Sequence, residues 1–143
     1  MTIRRLIAGR EGDIWSCRTT DSVRDAVAKL AERRIGALPV VDDDERVAGI
    51  FSERDVLYCL AKRGAEMLEL KVGEVMTAPA VSVEPDTRVH EALALMTRRR
   101  FRHLPVVQEE RMVGFVSIGD LVKWRIDLIQ SEAEAMRNYI QSA

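Results

Sequence analysis

The stretch GIFSERD, from Gly49 to Asp55, returns as GFVSIGD, from Gly114 to Asp120. A shift of 66 positions sets Val23 on Val89, Ala26 on Ala92, Ala28 on Ala94 and Arg34 on Arg100. It also lays the LPVV of Leu38 to Val41 over that of Leu104 to Val107. The shift then drops to 65, because the acidic run DDDE (Asp42 to Glu45) is one residue longer than QEE (Gln108 to Glu110). In the new register Arg46 meets Arg111, Gly49 meets Gly114, Ser52 meets Ser117 and Asp55 meets Asp120. A length change confined to a polar turn is what a duplicated folding unit tolerates. The chain must therefore fold as two copies of one supersecondary unit. Its 143 residues suffice for one shared core or two small adjoining ones.

Each copy spells the same order of elements. A short apolar segment opens it, Ile14 to Cys17 or Ala80 to Val83. A helix follows, because Val23, Ala26, Val27 and Leu30 fall at helical spacing, as do Val89, Ala92, Leu93 and Met96. Asp21 or Ser22 is the expected cap of the first helix, and Asp86 or Thr87 that of the second. LPVV reads as a strand whose proline sits where no ladder donor is needed. The acidic turn and VAGIF or MVGFV complete a hairpin, and SERD or SIGD opens another helix. The expected fold class is α/β in the mixed, α+β sense: two β-α-β-β-α units. They are placed at 8–66 and 67–127, with a C-terminal helical extension over 128–143. In that extension Leu128, Ile129, Met136 and Ile140 form a narrow apolar stripe. It is expected to pack on its own domain, with a second subunit as the alternative cover.

Composition removes several function classes. With 22 basic and 23 acidic residues the net charge is −1, which gives no global attraction to nucleic acid or an anionic membrane. The longest apolar runs are too short to span a bilayer. The opening MTIRRLIAGREGDIW lacks a secretory apolar region. Cys17 and Cys59 stand far apart with no CxxC partner, so reduced thiols and a cytoplasmic location are expected. The two histidines, His90 and His103, form no carboxylate–histidine cluster that would hold a metal. Asp42 to Asp44 lack calcium-loop spacing and read as a hairpin turn. No phosphate-binding P-loop and no nucleophile elbow is present. The expectation is a chain that is not an enzyme and has no catalytic cofactor.

The SxxD pair admits two readings. Serine followed three residues later by an acid is a capping box, and a cap alone would explain it. Yet both copies follow a strand directly and carry the short Asp. A helix N-terminus also presents free N–H groups and a positive dipole end to a phosphate. A serine hydroxyl there can reach a phosphate oxygen, and a carboxylate one turn in can accept from a vicinal diol. Phosphate and ribose together suggest a nucleotide.

The doubled G-h-h-S-x-x-D, each copy preceded by LPVV and an acidic turn, resembles a tandem pair of cystathionine β-synthase (CBS) domains, or Bateman module. The resemblance covers Asp13 to Ile126, and RHLPVV and VSIGDLVK are especially similar to small stand-alone bacterial CBS-pair proteins. It implies two units about a pseudo-twofold axis with two clefts for adenosine ligands: AMP, ADP, ATP, NAD(H) or S-adenosylmethionine. Asp55 and Asp120 would then hold ribose hydroxyls, and Ser52 and Ser117 the α-phosphate. Backbone at Ala37, Leu38 and Pro39, and at His103, Leu104 and Pro105, would border the adenine. Ile50, Val81, Phe115 and Val116 would grip its faces, and the early strands would contribute through Thr19, Thr20, Ser82 or Val83. Arg102, His103 and Arg54 are the candidate phosphate cations. Gly119 replaces Arg54 in the second copy, so the two sites are expected to be unequal.

The resemblance further implies a regulatory module that signals to a protein target not identified by the sequence. It also implies a homodimer through the helices after each SxxD, which carry Val56, Leu57, Leu60, Leu121 and Val122. Two alternatives remain at this stage. One is an interaction scaffold with vestigial sites; the other is nucleic-acid or metal binding through the arginine-rich stretch 98–103, which the near-zero net charge disfavours.

Overall fold

The computed structural model describes residues 1–10 and 14–142. A short helix α1 (Ile3–Ile7) precedes the first unit, which runs β1 (Cys17–Arg18), α2 (Val23–Arg33), β2 (Ala37–Val41), β3 (Val47–Ser52) and α3 (Glu53–Arg63). A 3-10 turn (Gly64–Glu69) and α4 (Val72–Val75) lead to the second unit. That unit consists of α5 (Val89–Arg99), β4 (His103–Gln108), β5 (Arg111–Ser117) and α6 (Ile118–Ser142). No helix among the described residues is long and apolar enough to cross a membrane.

The helical faces follow the sequence spacing. Val23, Ala26 and Leu30 of α2 are buried, as are Val89, Ala92 and Met96 of α5. Both helices stop at the repeat-matched arginines Arg34 (φ 54°) and Arg100 (φ 59°), each in the left-handed conformation that ends a helix. Ser22 caps α2 by accepting the Asp25 N–H at 3.1 Å. The expected cap of α5 does not form. Its N-cap is Arg88, while the Thr87 hydroxyl accepts the Glu84 N–H and Asp86 pairs with Arg4.

The expected hairpins form, and their registers match between the repeats. Leu38 lies opposite Phe51 and Val40 opposite Gly49; in the second unit Leu104 faces Val116 and Val106 faces Gly114. The acidic run is a turn, with Asp42 Oδ1 accepting the N–H groups of Asp44 and Arg46. The opening strands are shorter than the sequence suggested. The first contracts to Cys17–Arg18, parallel to β2, and the second to a single parallel bridge between Val83 and Val106. The bridge occupies the repeat equivalent of Cys17 against Val40, so the topology is kept while the ladder is lost.

Each unit is completed by the segment in front of the other. The Ile3 N–H reaches Thr87 O, the Arg4 N–H reaches Pro85 O, and the Val89 N–H reaches Met1 O, at 2.7–3.0 Å. One repeat on, the Val72 N–H reaches Asp21 O, the Gly73 N–H reaches Thr19 O, and the Val23 N–H reaches Leu70 O, at 2.8–3.0 Å. Ile3 and Val72 are wholly buried, Ile3 among the second unit's core residues and Val72 with Met67 among the first's. Residues 67–76, which the expected boundary gives to the second unit, therefore pack on the first.

The tail departs from expectation most. Helix α6 continues without a break for 25 residues. The stripe expected to pack on its own domain is open, with Ile129, Met136 and Ile140 exposed by 51%, 60% and 65%.

Candidate functional site

The site begins where β3 turns into α3. Ser52 is still extended (φ −131°, ψ 168°), and α3 starts at the next residue. Asp55 Oδ2 accepts the Ser52 N–H at 2.8 Å and the Ser52 hydroxyl at 3.2 Å, which fixes the carboxylate at the helix mouth. Its other oxygen, Oδ1, accepts the Thr77 hydroxyl at 2.7 Å. At the second junction Asp120 Oδ2 accepts the Ser117 N–H at 2.8 Å, and Ser117 Oγ accepts the Asp120 N–H at 3.1 Å. Both motifs thus cap their helices, and the aspartate takes the N-cap N–H although a Glu reaches back more easily.

A cleft of about 420 Å³ opens over the first junction. The first unit lines it with Gly36, Ala37, Ile50, Ser52, Glu53, Arg54, Asp55 and Tyr58. Thr77, Pro79, Ala80 and Val81 close one side, and Arg99, Arg100, Phe101, Arg102 and His103 of the second unit close another. One wall is apolar, one end holds a helix N-terminus beside a carboxylate, and four guanidinium groups stand among the lining residues. That combination suits a ligand with a flat apolar part and an anionic part. Gly36 leaves room for the Glu53 side chain of its own unit, since a Cβ there would lie 2.6 Å from Glu53 Oε1.

His103 lies at the seam between the two junctions. Its ring stacks on Phe115 with centroids 5.5 Å apart and planes 12° from parallel. Burial lowers its pKa, Asp120 and Glu53 oppose that, and Arg102 adds to the lowering. The result is an imidazole held below its ordinary value, hence neutral at pH 7.

The second junction is arranged differently. Arg10, from the segment after α1, places Nη2 2.9 Å from Asp120 Oδ2 and donates from Nη1 to the Phe115 carbonyl at 2.9 Å. Ile7 packs over Gly114, where a Cβ would meet Ile7 Cδ1 at 2.9 Å. Burial raises the Asp120 pKa, but the Ser117 N–H and the Arg10 guanidinium outweigh it and leave the carboxyl below its usual range.

Of the sequence-derived candidates, Asp55, Ser52, Arg54, Ala37, Ile50, Val81, Arg102 and His103 meet in the one cleft. Asp120, Ser117 and Phe115 gather at the other junction under Arg10. Leu38 and Leu104 are wholly buried in the two cores, so only their backbone can border a ligand. Val116, expected to grip a ring, is a fully buried core side chain instead. Val83 is buried beside it, and Pro105 offers its carbonyl to the Val83 N–H. Pro39 is buried in β2, Thr19 bonds through its backbone to Val41 and Gly73, and Thr20 and Ser82 are exposed. Buried Cys17 has its thiol pushed up to about 12 by desolvation first and Asp21 second, so it carries no thiolate at neutral pH.

Sequence reasoning missed Thr77, Tyr58 and Arg10. The signal was present for two of them. The segments LKVGEVM and MTIRRLI are equivalent at an offset of 69, not 66; Thr77 follows the first directly, and Arg10 lies three residues past the second.

A family model for the CBS domain matches residues 11–62 and again 72–127. The chain is 39% identical over 132 residues to the mitochondrial CBS domain-containing protein CBSX3 of Arabidopsis thaliana, covering 90% of this chain and 64% of that protein. It thus spans somewhat less than two thirds of that relative's length. A crystal structure of a CBS-domain-containing protein from Agrobacterium tumefaciens superposes with a TM-score of 0.81 at 35% identity, over 87% of this chain and 92% of that one. The crystal structure of CBSX2 in complex with AMP superposes with a TM-score of 0.76 at 26% identity, over 89% and 97%. The two sequence repeats, the mixed helix-and-sheet units and both family matches agree: this chain belongs to the CBS domain family and carries two CBS domains in tandem.

Proposed function

We propose that this chain is an adenine-nucleotide-responsive regulatory module whose ligand occupies the Asp55 cleft. The single observation that carries this reading is the composition of that cleft: Asp55 and the first turn of α3 at one end, Ile50 and Val81 on a wall, and Arg54, Arg99, Arg100 and Arg102 around it. The AMP-bound relative supports it. Asp55 Oδ1 would exchange the Thr77 hydroxyl for ribose hydroxyls, and Ser52 with the helix N–H groups would face the phosphate. The arginine-rich surroundings fit AMP, ATP or NAD(H), with the more phosphorylated ligands best matched. Arg99, Arg100 and Arg102 thereby find a use inside a cleft, which favours a small anionic ligand over nucleic acid.

Because both units line the cleft, a bound ligand couples their relative positions. It shifts that equilibrium only by its difference in affinity for the two arrangements. The role is regulatory and not catalytic, delivered to a protein target through a homodimer. The dimer reading rests on α3 and α6, where Leu57, Leu60, Val122 and Ile126 are exposed by 62%, 47%, 42% and 49%. The scaffold reading draws on one observation, Arg10 seated on Asp120.

Thermal unfolding in the presence of AMP, ATP, NAD, NADH and S-adenosylmethionine tests the proposal. A ligand at 100 times its Kd stabilises the native state by about 2.7 kcal/mol. The expected result is a clear rise in Tm with at least one adenine nucleotide that Asp55→Ala cuts to half or less. No rise with any of the five would assign the chain to the scaffold reading.

A further inference from the structure

Along α6, Val122, Ile126, Ile129, Ala133, Met136 and Ile140 follow one another at spacings of four, three, four, three and four residues. This is an unbroken heptad pattern, with Val122, Ile129 and Met136 at d and Ile126, Ala133 and Ile140 at a. All six are exposed, Val122 by 42% and Ile140 by 65%. The opposite side of the helix does the domain's packing, with Leu121 wholly buried and Trp124 against the second core. The apolar row therefore points away from the fold that holds α6. A strict period of 3.5 residues keeps a seam facing another helix over several turns, as a supercoil requires. A single exposed helical tail is marginal by itself, so the pattern calls for a partner helix.

The charges beside the seam decide which partner and which direction. Arg125 and Glu132 occupy g positions, and Lys123, Gln130 and Arg137 occupy e positions. When two copies lie parallel and in register, g of one faces e of the next heptad in the other. Glu132 then faces Arg137 of the second copy, twice by symmetry, and Arg125 faces Gln130. An antiparallel pair with full overlap instead sets Glu132 against Glu132 and Lys123 against Arg137, which opposes like charges.

We propose that the exposed heptad face of α6 is the seam of a parallel, in-register coiled coil formed with a second copy of this chain. The inference rests on the homodimer reading above and adds what joins the two copies and in which orientation. Since α6 begins at the Asp120 motif, such a seam ties the two copies' second units directly to each other.

Single cysteines at the two ends of the seam test it, Ile126→Cys and Ile140→Cys, each in a Cys59→Ser background of the full chain. A parallel, in-register pair brings each residue against its own copy within disulfide reach. Both proteins should form covalent dimers with oxidised glutathione, and Asn138→Cys, on the outer face, should not. Glu132→Arg should weaken association by roughly threefold to fivefold, and Glu132→Arg with Arg137→Glu should restore it. A wild-type dimer in which only one or neither seam cysteine cross-links would overturn the coiled coil and leave the dimer reading standing. A monomeric wild type would overturn both.

Discussion

At Asp55 the oxygen not used in the helix cap takes a neutral hydroxyl from Thr77 and borders a cleft. At Asp120 the equivalent carboxylate is held by a cation, Arg10, whose second nitrogen binds the Phe115 carbonyl. The backbone of the two junctions is the same, down to the 2.8 Å bond from the serine N–H to the aspartate. What differs is the exchanged segment lying across each one. A repeat therefore fixes the cradle, while the segment exchanged from in front of the other unit sets what the free carboxylate oxygen meets, a hydroxyl at one junction and a cation at the other. A hydroxyl gives up its bond readily; displacing a guanidinium costs a charge-assisted pair.

The largest effect expected from this contrast comes from the carboxylates themselves. Asp55→Ala should weaken nucleotide binding by about 10- to 100-fold, the range for losing hydrogen bonds to a charged group. Asp120→Ala should leave that affinity within about twofold and cost the cap and the Arg10 pair, roughly 1–2 kcal/mol of stability by chemical denaturation. Equal losses of binding from the two substitutions would dissolve the distinction between the junctions.

The glycines beneath the exchanged segments give the next contrast. A Cβ on Gly49 would stand 2.6 Å from the Thr77 carbonyl oxygen and 2.8 Å from Met76 Sδ, and the first of these is backbone that cannot swing aside. A Cβ on Gly114 would meet only the far end of the Ile7 side chain at 2.9 Å. Gly49→Ala should therefore destabilise by about 1–3 kcal/mol and displace Thr77 from Asp55, whereas Gly114→Ala should cost under about 1 kcal/mol. Denaturant midpoints of the two variants measure the gap, and a reversed order would contradict the packing described.

The smallest expected effects are those of pH. Asp120 has its folded pKa lowered by Ser117 and Arg10 against the push of burial, so folding favours its charged form. The associated stability is complete above about pH 4, the ordinary carboxylate value, and disappears as pH falls through the lowered folded value. His103 is lowered chiefly by burial, so the folded state disfavours its proton and stability declines as pH drops below about 6.5. A phosphate placed beside His103 would reverse that preference, so nucleotide affinity should rise modestly between pH 7.5 and 6. Affinity that is flat or falling over that interval would remove the phosphate from His103.

The legible and illegible parts of the structure separate on physical grounds. Helical spacing, LPVV and the turns were readable because each is local, and tandem duplication doubled every signal. The contraction of the opening strands was not readable, since an edge strand's length depends on what pairs beside it and not on its own residues. The exchange of α1 and α4 was missed because its register differs from that of the main repeat. Arg10 illustrates the limit well: nothing in its neighbours indicates a carboxylate 110 positions away. The open stripe on α6 was visible as a stripe, but one helix cannot tell whether its apolar face meets its own domain. Around Asp55, the residues of β2, β3 and the cap that line the cleft were among the sequence candidates because they lie close together in the chain, whereas Thr77, Tyr58 and the Arg99 to Phe101 wall come from farther along and were not.

The most direct test of the contrast between the junctions is the number and affinity of ligands bound per chain, measured by calorimetry with whichever adenine nucleotide raises the Tm, on wild type, Asp55→Ala, Asp120→Ala and Arg10→Ala. The expected results are one site, one site weakened about 10- to 100-fold, one site of unchanged affinity, and two sites, the last because removing Arg10 leaves Asp120 as available as Asp55. Binding of one ligand that Asp55→Ala leaves at full strength and Asp120→Ala weakens would place the ligand at the other junction and contradict the account.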